Sequence, residues 1–511
     1  MSKYELNGDN LDLELFGRII NDQEAAVTVS DAAKKKICRC RKIVDSIIEN
    51  NTIRYGINTG FGKFSNVIID KKDTIELQKN IVLSHAVGTG EPFQKKIAKG
   101  VMLLKLNSFL QGYSGVRLEV AVTLISMLNK NVIPVIPQKG SVGASGDLAP
   151  LAHMALVMTG KGRAYFLGKM MSGGSALKKA GITPLELRQK EGLAILNGTQ
   201  VMASVLAVSL LESQTLIKTA DIIGSLSLEA LKGSPSAFDE RIQMARPHRG
   251  QIDTAYNLRM LLKGSKIVMS HKDCPKVQDA YSLRCMPQVH GAVKDTYNHA
   301  KKILETEMNS VTDNPLVFDS GNEVISGGNF HGEPLAFVSD FMTIAVSELA
   351  NISERRIEYL LDTSTNDGLP AFLTSKGGLN SGFMMTQVTA AALVSENKVL
   401  SHPASVDSIP TSANKEDHVS MGAHAARKLY EVCSNARTVL AIELLCAAQG
   451  LDLRGSGNTS PALKKVVKEI RNRISFMKSD RFIQPDIINA EDLISQNKLI
   501  EAAERSGKLK I

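Results

Sequence analysis

Hydrophobic positions along the chain recur mostly at helical spacing. Between residues 340 and 362, Phe341, Ile344, Ala345, Leu349, Ile352, Ile357 and Leu360 fall on one face, which predicts an amphipathic helix. A second helix is predicted from Ser460-Pro461, a capping serine followed by proline in the first turn. Its apolar stripe is Leu463, Val466, Val467, Ile470 and Ile474, while Lys464, Lys468 and Arg471 face away. The run 201–211 is the longest apolar stretch and is bounded by Gln200 and Glu212; it is too short to span a bilayer and predicts a buried helix. Strand signals are few. Residues 132–137, VIPVIP, must be extended, because proline disfavours helix at its own position and at the one before it. Residues 55–64, YGINTGFGKF, read as a glycine-rich loop. The patterns lengthen after Gln111-Gly112-Tyr113-Ser114-Gly115, so the expected organisation is a smaller mixed lobe over 1–112 and a mainly α, long-helix bundle over 113–511.

Composition supports helices packed on helices. The 511 residues are 43% hydrophobic but only 5% aromatic, with no Trp, so Leu, Ile, Val, Ala and Met must fill the core. The net charge of +9 could signal a nucleic-acid or anionic-membrane partner. The basic residues are instead scattered among acids, and the runs Lys34-Lys35-Lys36 and Lys71-Lys72 are short and lack aromatics, so neither nucleic acid nor membrane is expected. Six cysteines, with no CxxC pair, suit a reducing, cytoplasmic setting. The opening MSKYELNGDN holds no apolar run of the secretory kind.

The most informative segment is 140–150, GSVGASGDLAP. A nucleophile elbow would need glycine where Asp147 stands, and the Gly62-Lys63 loop lacks the first glycine and the hydroxyl of a phosphate loop. A flexible turn remains open, and so does a third chemistry. The Gly146 nitrogen can approach the Ala144 carbonyl, since neither residue has bulk to prevent it. Ring closure with loss of one water, then loss of the Ser145 hydroxyl as a second, leaves an imidazolone with an exocyclic methylidene. A helix starting at Asp147-Leu148 would stabilise negative charge building on that ring.

GSVGASGDLAPLAHM resembles the signature of the aromatic amino acid ammonia-lyases and aminomutases, which carry this methylidene-imidazolone (MIO) on an Ala-Ser-Gly triad. Further segments resemble the histidine branch: YGINTGFG, LSHAVGTGEP, NGTQ, KVQDAYSLRCMPQ, TDNPLVF, SGGNFHGEP, LNSGFM, SENK and HPASVDSIPTSAN followed after Lys415 by EDHVSMG. Together they cover about residues 50–490. The resemblance implies a fumarase/aspartase-like helical fold and a homotetramer whose active sites draw on more than one subunit. It implies MIO formed from Ala144, Ser145 and Gly146 with no external cofactor, and release of ammonia from L-histidine to give trans-urocanate.

It also implies roles residue by residue. Tyr55 is the expected β-proton base, and Tyr281 deprotonates or positions the amine; both need nearby positive potential to favour phenolate. Without the motif each reads as a packing tyrosine. Arg284 is expected to clamp the substrate carboxylate, with a plain salt bridge as the alternative. Asn197 and Gln278 are expected polar partners of ring and substrate, though buried amides are often only core hydrogen-bonders. Phe330 is the expected aromatic wall. Ser84-His85 and Glu416 point to the imidazole: a neutral imidazole has one donor and one acceptor, which Glu416 and His85 can serve. Lys415 stands where many family members have Gln. Cys274 resembles a thiol near the family's active-site mouth, or is an inert thiol. Glu416, His418, His331 and Glu333 show no convincing metal spacing, so no metal is expected. Competing readings are a tyrosine or phenylalanine ammonia-lyase or aminomutase on the same scaffold, and a non-catalytic helical assembly protein.

Overall fold

A computed structural model describes residues 2–271 and 276–511. Cys274 lies outside the described residues. Twenty α-helices dominate these residues, and the nine strands are two to four residues long. The mainly α expectation holds. The extended 132–137 segment gives strand pieces at Ile133–Pro134 and Pro137–Lys139. Helices are found at Leu148–Met158 and Pro461–Arg471, the latter capped by the Ser460 hydroxyl on the Leu463 N–H. The 340–362 helix starts earlier, at Glu333, and runs to Leu361.

The 201–211 run lies within a much longer helix, Gln200–Ala230. Glu212 interrupts the apolar run without ending the helix, because glutamate is a good helix former. Gln200–Ala230 and Glu333–Leu361 are both long and apolar enough to cross a membrane by length and composition, but 78% and 67% of their most apolar windows are buried within the protein.

The chain forms two compact units, and the mixed one extends well past residue 112. The first unit holds residues 1–208, 301–340 and 403–427, and all nine strands. Its core helix is Lys95–Leu110, buried at every position from Ile97 onward. Polar and backbone ties explain why the unit continues beyond 112. Arg117 pairs with Glu191 at 2.8 Å, and Val317 N–H donates to the Tyr113 carbonyl at 2.8 Å. The Asn309 side chain exchanges hydrogen bonds with the Leu11 backbone at 2.7 and 3.0 Å. The segment 403–427 joins through Met421 N–H on the Val142 carbonyl at 2.9 Å.

The second unit, residues 209–300, 341–402 and 428–511, is helical with short loops. Its interior carries clusters of charged side chains paired with one another, as burial favours. Asp221 accepts from Lys294 at 2.7 Å, His290 at 2.8 Å and Asn257 at 2.8 Å. Arg356 grips Glu443 through two nitrogens at 2.5 and 2.8 Å.

Candidate active site

The 140–147 loop runs from the Pro137–Lys139 strand to the Leu148–Met158 helix. Gly143 and Gly146 both sit at φ +71°. A Cβ on Gly146 would lie 2.1 Å from the Gly198 carbonyl oxygen, and one on Gly143 would lie 2.2 Å from Ser420 Oγ, so only glycine fits at either place. Gly198 grips the chain on both sides of residue 146. Its carbonyl accepts the Asp147 N–H at 2.8 Å, and its N–H donates to the Ser145 carbonyl at 3.3 Å. The Gly146 N–H itself makes no hydrogen bond among the described residues. The nitrogen needed for ring closure is thus uncommitted, and the residues present fit the MIO ring.

The helix expected after Asp147 is present, but the Asp147 side chain serves another helix. Fully buried, it accepts from the N–H groups of Val201 at 3.1 Å and Met202 at 2.8 Å, at the start of Gln200–Ala230, and from Ser141 at 3.0 Å. Burial pushes its pKa up to about 6 against the pull of these donors and of Lys105.

Ser145 Oγ donates to Glu416 Oε1 at 2.9 Å. The other Glu416 oxygen accepts from Thr411 at 2.9 Å and Ser412 at 2.6 Å. A turn with Ser412, Ala413 and Asn414 at positive φ folds these hydroxyls back onto the carboxylate. Lys415, the departure noted in the sequence, is exposed and is not among the hydrogen-bond partners of Glu416.

Two other expected residues feel the same carboxylate. His85 closes the Thr74–His85 helix, with Ser84 Oγ 3.0 Å from its Nδ1. Burial lowers its pKa, while the Ile81 carbonyl and Glu416 pull it up. Tyr55 is half-buried in the glycine-rich loop. The positive potential expected around it is not what its surroundings supply: burial raises its pKa, Glu416 raises it further, and only the Gly62 backbone lowers it. Sequence shows which residues carry charge but not which lie beside the phenol.

Asn197 is buried, and its amide donates to the Asn314 carbonyl at 2.8 Å and to Asp313 at 3.4 Å, so that end of the side chain supports the fold. Phe330 is half-buried in the turn before Glu333–Leu361. The neighbouring His331 stacks on His418 with ring centroids 5.4 Å apart, and nitrogens of the two rings approach to 3.3 Å. Folding thus gathers His331, His418 and Glu333, with one possible ligand atom from each within 4.8 Å of the others, although their sequence positions gave no metal spacing.

Gln278, Tyr281 and Arg284 belong to the second unit. Tyr281 is 70% exposed at the start of a one-turn helix, Tyr281–Arg284. The Arg284 guanidinium lies 4.4 Å from the Tyr281 ring centroid, and its Nε donates to the Asp279 carbonyl at 3.0 Å. Arg284 and exposed Gln278 border a cavity of about 1040 Å³. The turn is anchored from below by Arg356, which donates to the Ser282 carbonyl at 3.4 Å.

Sequence reasoning did not find Thr411, Ser412, Gly198 or Lys105. The first two preceded Glu416 within a segment already singled out, and Lys105 was visible as a lysine inside the apolar run VMLLKLNSFL. Gly198 gave no local signal beyond its place in NGTQ.

The model of the aromatic amino acid lyase family matches residues 11–472. A histidine ammonia-lyase of Caldanaerobacter subterraneus subsp. tengcongensis is 51% identical over 507 residues, 99% of each chain. One of Treponema denticola is 53% identical over 484 residues, 95% of each. The crystal structure of histidine ammonia-lyase from Trypanosoma cruzi superposes with a TM-score of 0.92 at 41% identity, covering 99% of this chain and 96% of that one. Tyrosine aminomutase from Streptomyces globisporus gives a TM-score of 0.95 at 37% identity, with both chains fully covered. With the family match spanning most of the chain and these full-length relatives, the chain belongs to the aromatic amino acid lyase family.

Proposed function

We propose that this chain is a histidine ammonia-lyase that removes ammonia from L-histidine to give trans-urocanate, using MIO made from its own Ala144, Ser145 and Gly146. The observation that carries the reading is the 2.9 Å bond from Ser145 to Glu416, with His85 within electrostatic reach of that carboxylate. It sets an acceptor for an imidazole N–H beside the reacting residue. Full-length relatives at about half identity that are named histidine ammonia-lyases support the same substrate.

The ring supplies an electrophilic methylidene for the substrate amine. The remaining work falls to side chains. Loss of the Ser145 hydroxyl frees Glu416 Oε1, which is then open to the substrate imidazole N–H, while neutral His85 serves the other ring nitrogen. A phenyl ring has no N–H or O–H to offer Glu416 Oε1, leaving that oxygen without a donor at a cost of about 1–3 kcal/mol. Tyr55 is the β-proton base. Since its own surroundings hold its pKa up, the cation that favours phenolate comes from the substrate ammonium or from another subunit. Tyr281, exposed, and Arg284, half-buried and stacked on its ring, serve the amine and the carboxylate, with Gln278 beside them and Phe330 as the wall. In this reading the protein is a cytoplasmic homotetramer in which Gln278, Tyr281 and Arg284 of one copy complete the Ser145 site of another. The described cysteines are all free thiols, in keeping with a reducing compartment.

Initial rates on L-histidine, L-tyrosine and L-phenylalanine test the substrate. Turnover of histidine alone, or strongly favoured, is expected; turnover of tyrosine without histidine would transfer the reading to the other branches.

A further inference from the structure

Lys105 lies in the middle of the apolar Lys95–Leu110 helix and is 1% exposed. A buried ammonium is expensive unless its donors are satisfied. Its hydrogen bonds run to two backbone carbonyls, Ala194 at 2.9 Å and Asn197. The nearby carboxylates are engaged elsewhere: Asp313 by Lys190 at 2.8 Å, and Asp147 by Ser141, Val201 and Met202. Lys105 is therefore held against the peptide that joins Asn197 to Gly198.

That peptide is planar, and in the trans form its C=O and N–H point in opposite directions. Lys105 binds the carbonyl on one side. On the other, the Gly198 N–H donates to the carbonyl of Ser145 at 3.3 Å. The charge thus reaches the Ser145 carbonyl through one polarised amide.

We propose that Lys105 is a positioning residue for self-processing of the Ala144-Ser145-Gly146 loop: it fixes and polarises the Asn197–Gly198 peptide so that the Ser145 carbonyl is stabilised as it gains negative charge. This rests on the MIO reading above. The chemistry requires such a group. The Gly146 nitrogen bonds to the Ala144 carbonyl carbon, and its proton passes to that oxygen. The resulting hydroxyl leaves as water with the Ser145 amide proton. The Ser145 Cα proton and hydroxyl then leave as a second water, forming the Cα–Cβ double bond. No oxidant or reductant is needed. Loss of the Cα proton places charge on the Ser145 carbonyl oxygen, where the Gly198 N–H already points. Burial lowers the Lys105 pKa to about 7, opposed by Asp313 and Asp147, so the polarising charge is weakened as pH rises above neutrality.

Wild type, Lys105→Met and Lys105→Gln are made by timed cell-free synthesis and followed by intact mass and near-ultraviolet absorbance of the ring, with gel filtration and thermal unfolding to select folded protein. Wild type should lose two waters. Folded Lys105→Met should lose them about tenfold more slowly or more, stalling with one water or none lost, as expected when a charge-assisted hydrogen bond is removed. Lys105→Gln keeps N–H donors without charge and should fall between the two. Complete two-water loss at the wild-type rate in folded Lys105→Met would overturn the proposal; if methionine prevents folding, a wild-type rate in Lys105→Gln would do so. A wild type that never loses two waters would instead overturn the MIO reading.

Discussion

Glu416→Gln changes one charge and almost no volume. Glu416 now takes the Ser145 hydroxyl at 2.9 Å on one oxygen and the Thr411 and Ser412 hydroxyls at 2.9 and 2.6 Å on the other. Glutamine has a single acceptor oxygen. Two donors on one side hold that oxygen toward Thr411 and Ser412, which turns the NH2 toward the place the substrate imidazole would occupy. An NH2 cannot accept an N–H. The enzyme therefore loses a hydrogen bond to a charged group, about 1.5–3 kcal/mol, and kcat/KM for histidine should fall about tenfold to a hundredfold. The thermal midpoint should barely move, because the carboxylate is only half-buried. The assay is urocanate absorbance, with intact mass showing that the variant has lost the same two waters as wild type. A kcat/KM within about twofold of wild type would refute the reasoning, since no transition-state interaction would then have been removed. A loss that tracked incomplete dehydration would move Glu416 from substrate recognition to ring formation.

Two further predictions follow from the same geometry. Burial depresses the His85 pKa below its usual 6.5, so on acidification the unfolded chain takes up this proton before the folded one and the group's contribution to stability falls as pH drops through 6.5. The stability of wild type relative to His85→Gln should therefore decline between neutral and mildly acidic pH, read as the difference in thermal midpoints; a constant difference would show that His85 titrates alike in both states. Mixed oligomers of Ser145→Ala and Tyr281→Phe chains should regain activity that neither homo-oligomer has, and verified mixtures without rescue would contradict shared sites.

The legible part of the fold was the part carried by periodicity. Pro461–Arg471 and Leu148–Met158 announced themselves through caps, stripes and the break at 132–137. The division into units did not, because it depends on partners far along the chain, such as Asn309 with Leu11 and Met421 with Val142. The site shows the same split. The Ala-Ser-Gly reading rests on residues adjacent in sequence, and the pairing of His85 with Glu416 on what an imidazole requires. The bond between Ser145 and Glu416 was not foreseen; it spans 271 residues and arises from the turn at 412–414. The surroundings of Tyr55 within the chain, which raise its pKa, were illegible for a related reason: a pKa is set by burial and by neighbours that only the fold selects. Asp147 precedes the Leu148–Met158 helix as expected, but which backbone its side chain serves, the start of Gln200–Ala230, could not be read from the sequence.

In the proposed reaction the chain makes its own electrophile and uses it on L-histidine. The most direct measurement is ultraviolet absorbance of the purified protein mixed with L-histidine and no added cofactor, alongside Ser145→Ala, with the intact mass of each. A steady rise from urocanate in wild type lighter by two waters, and a flat trace in Ser145→Ala, is the predicted result. An equal rise in Ser145→Ala, or a flat trace from fully dehydrated wild type, would contradict the account.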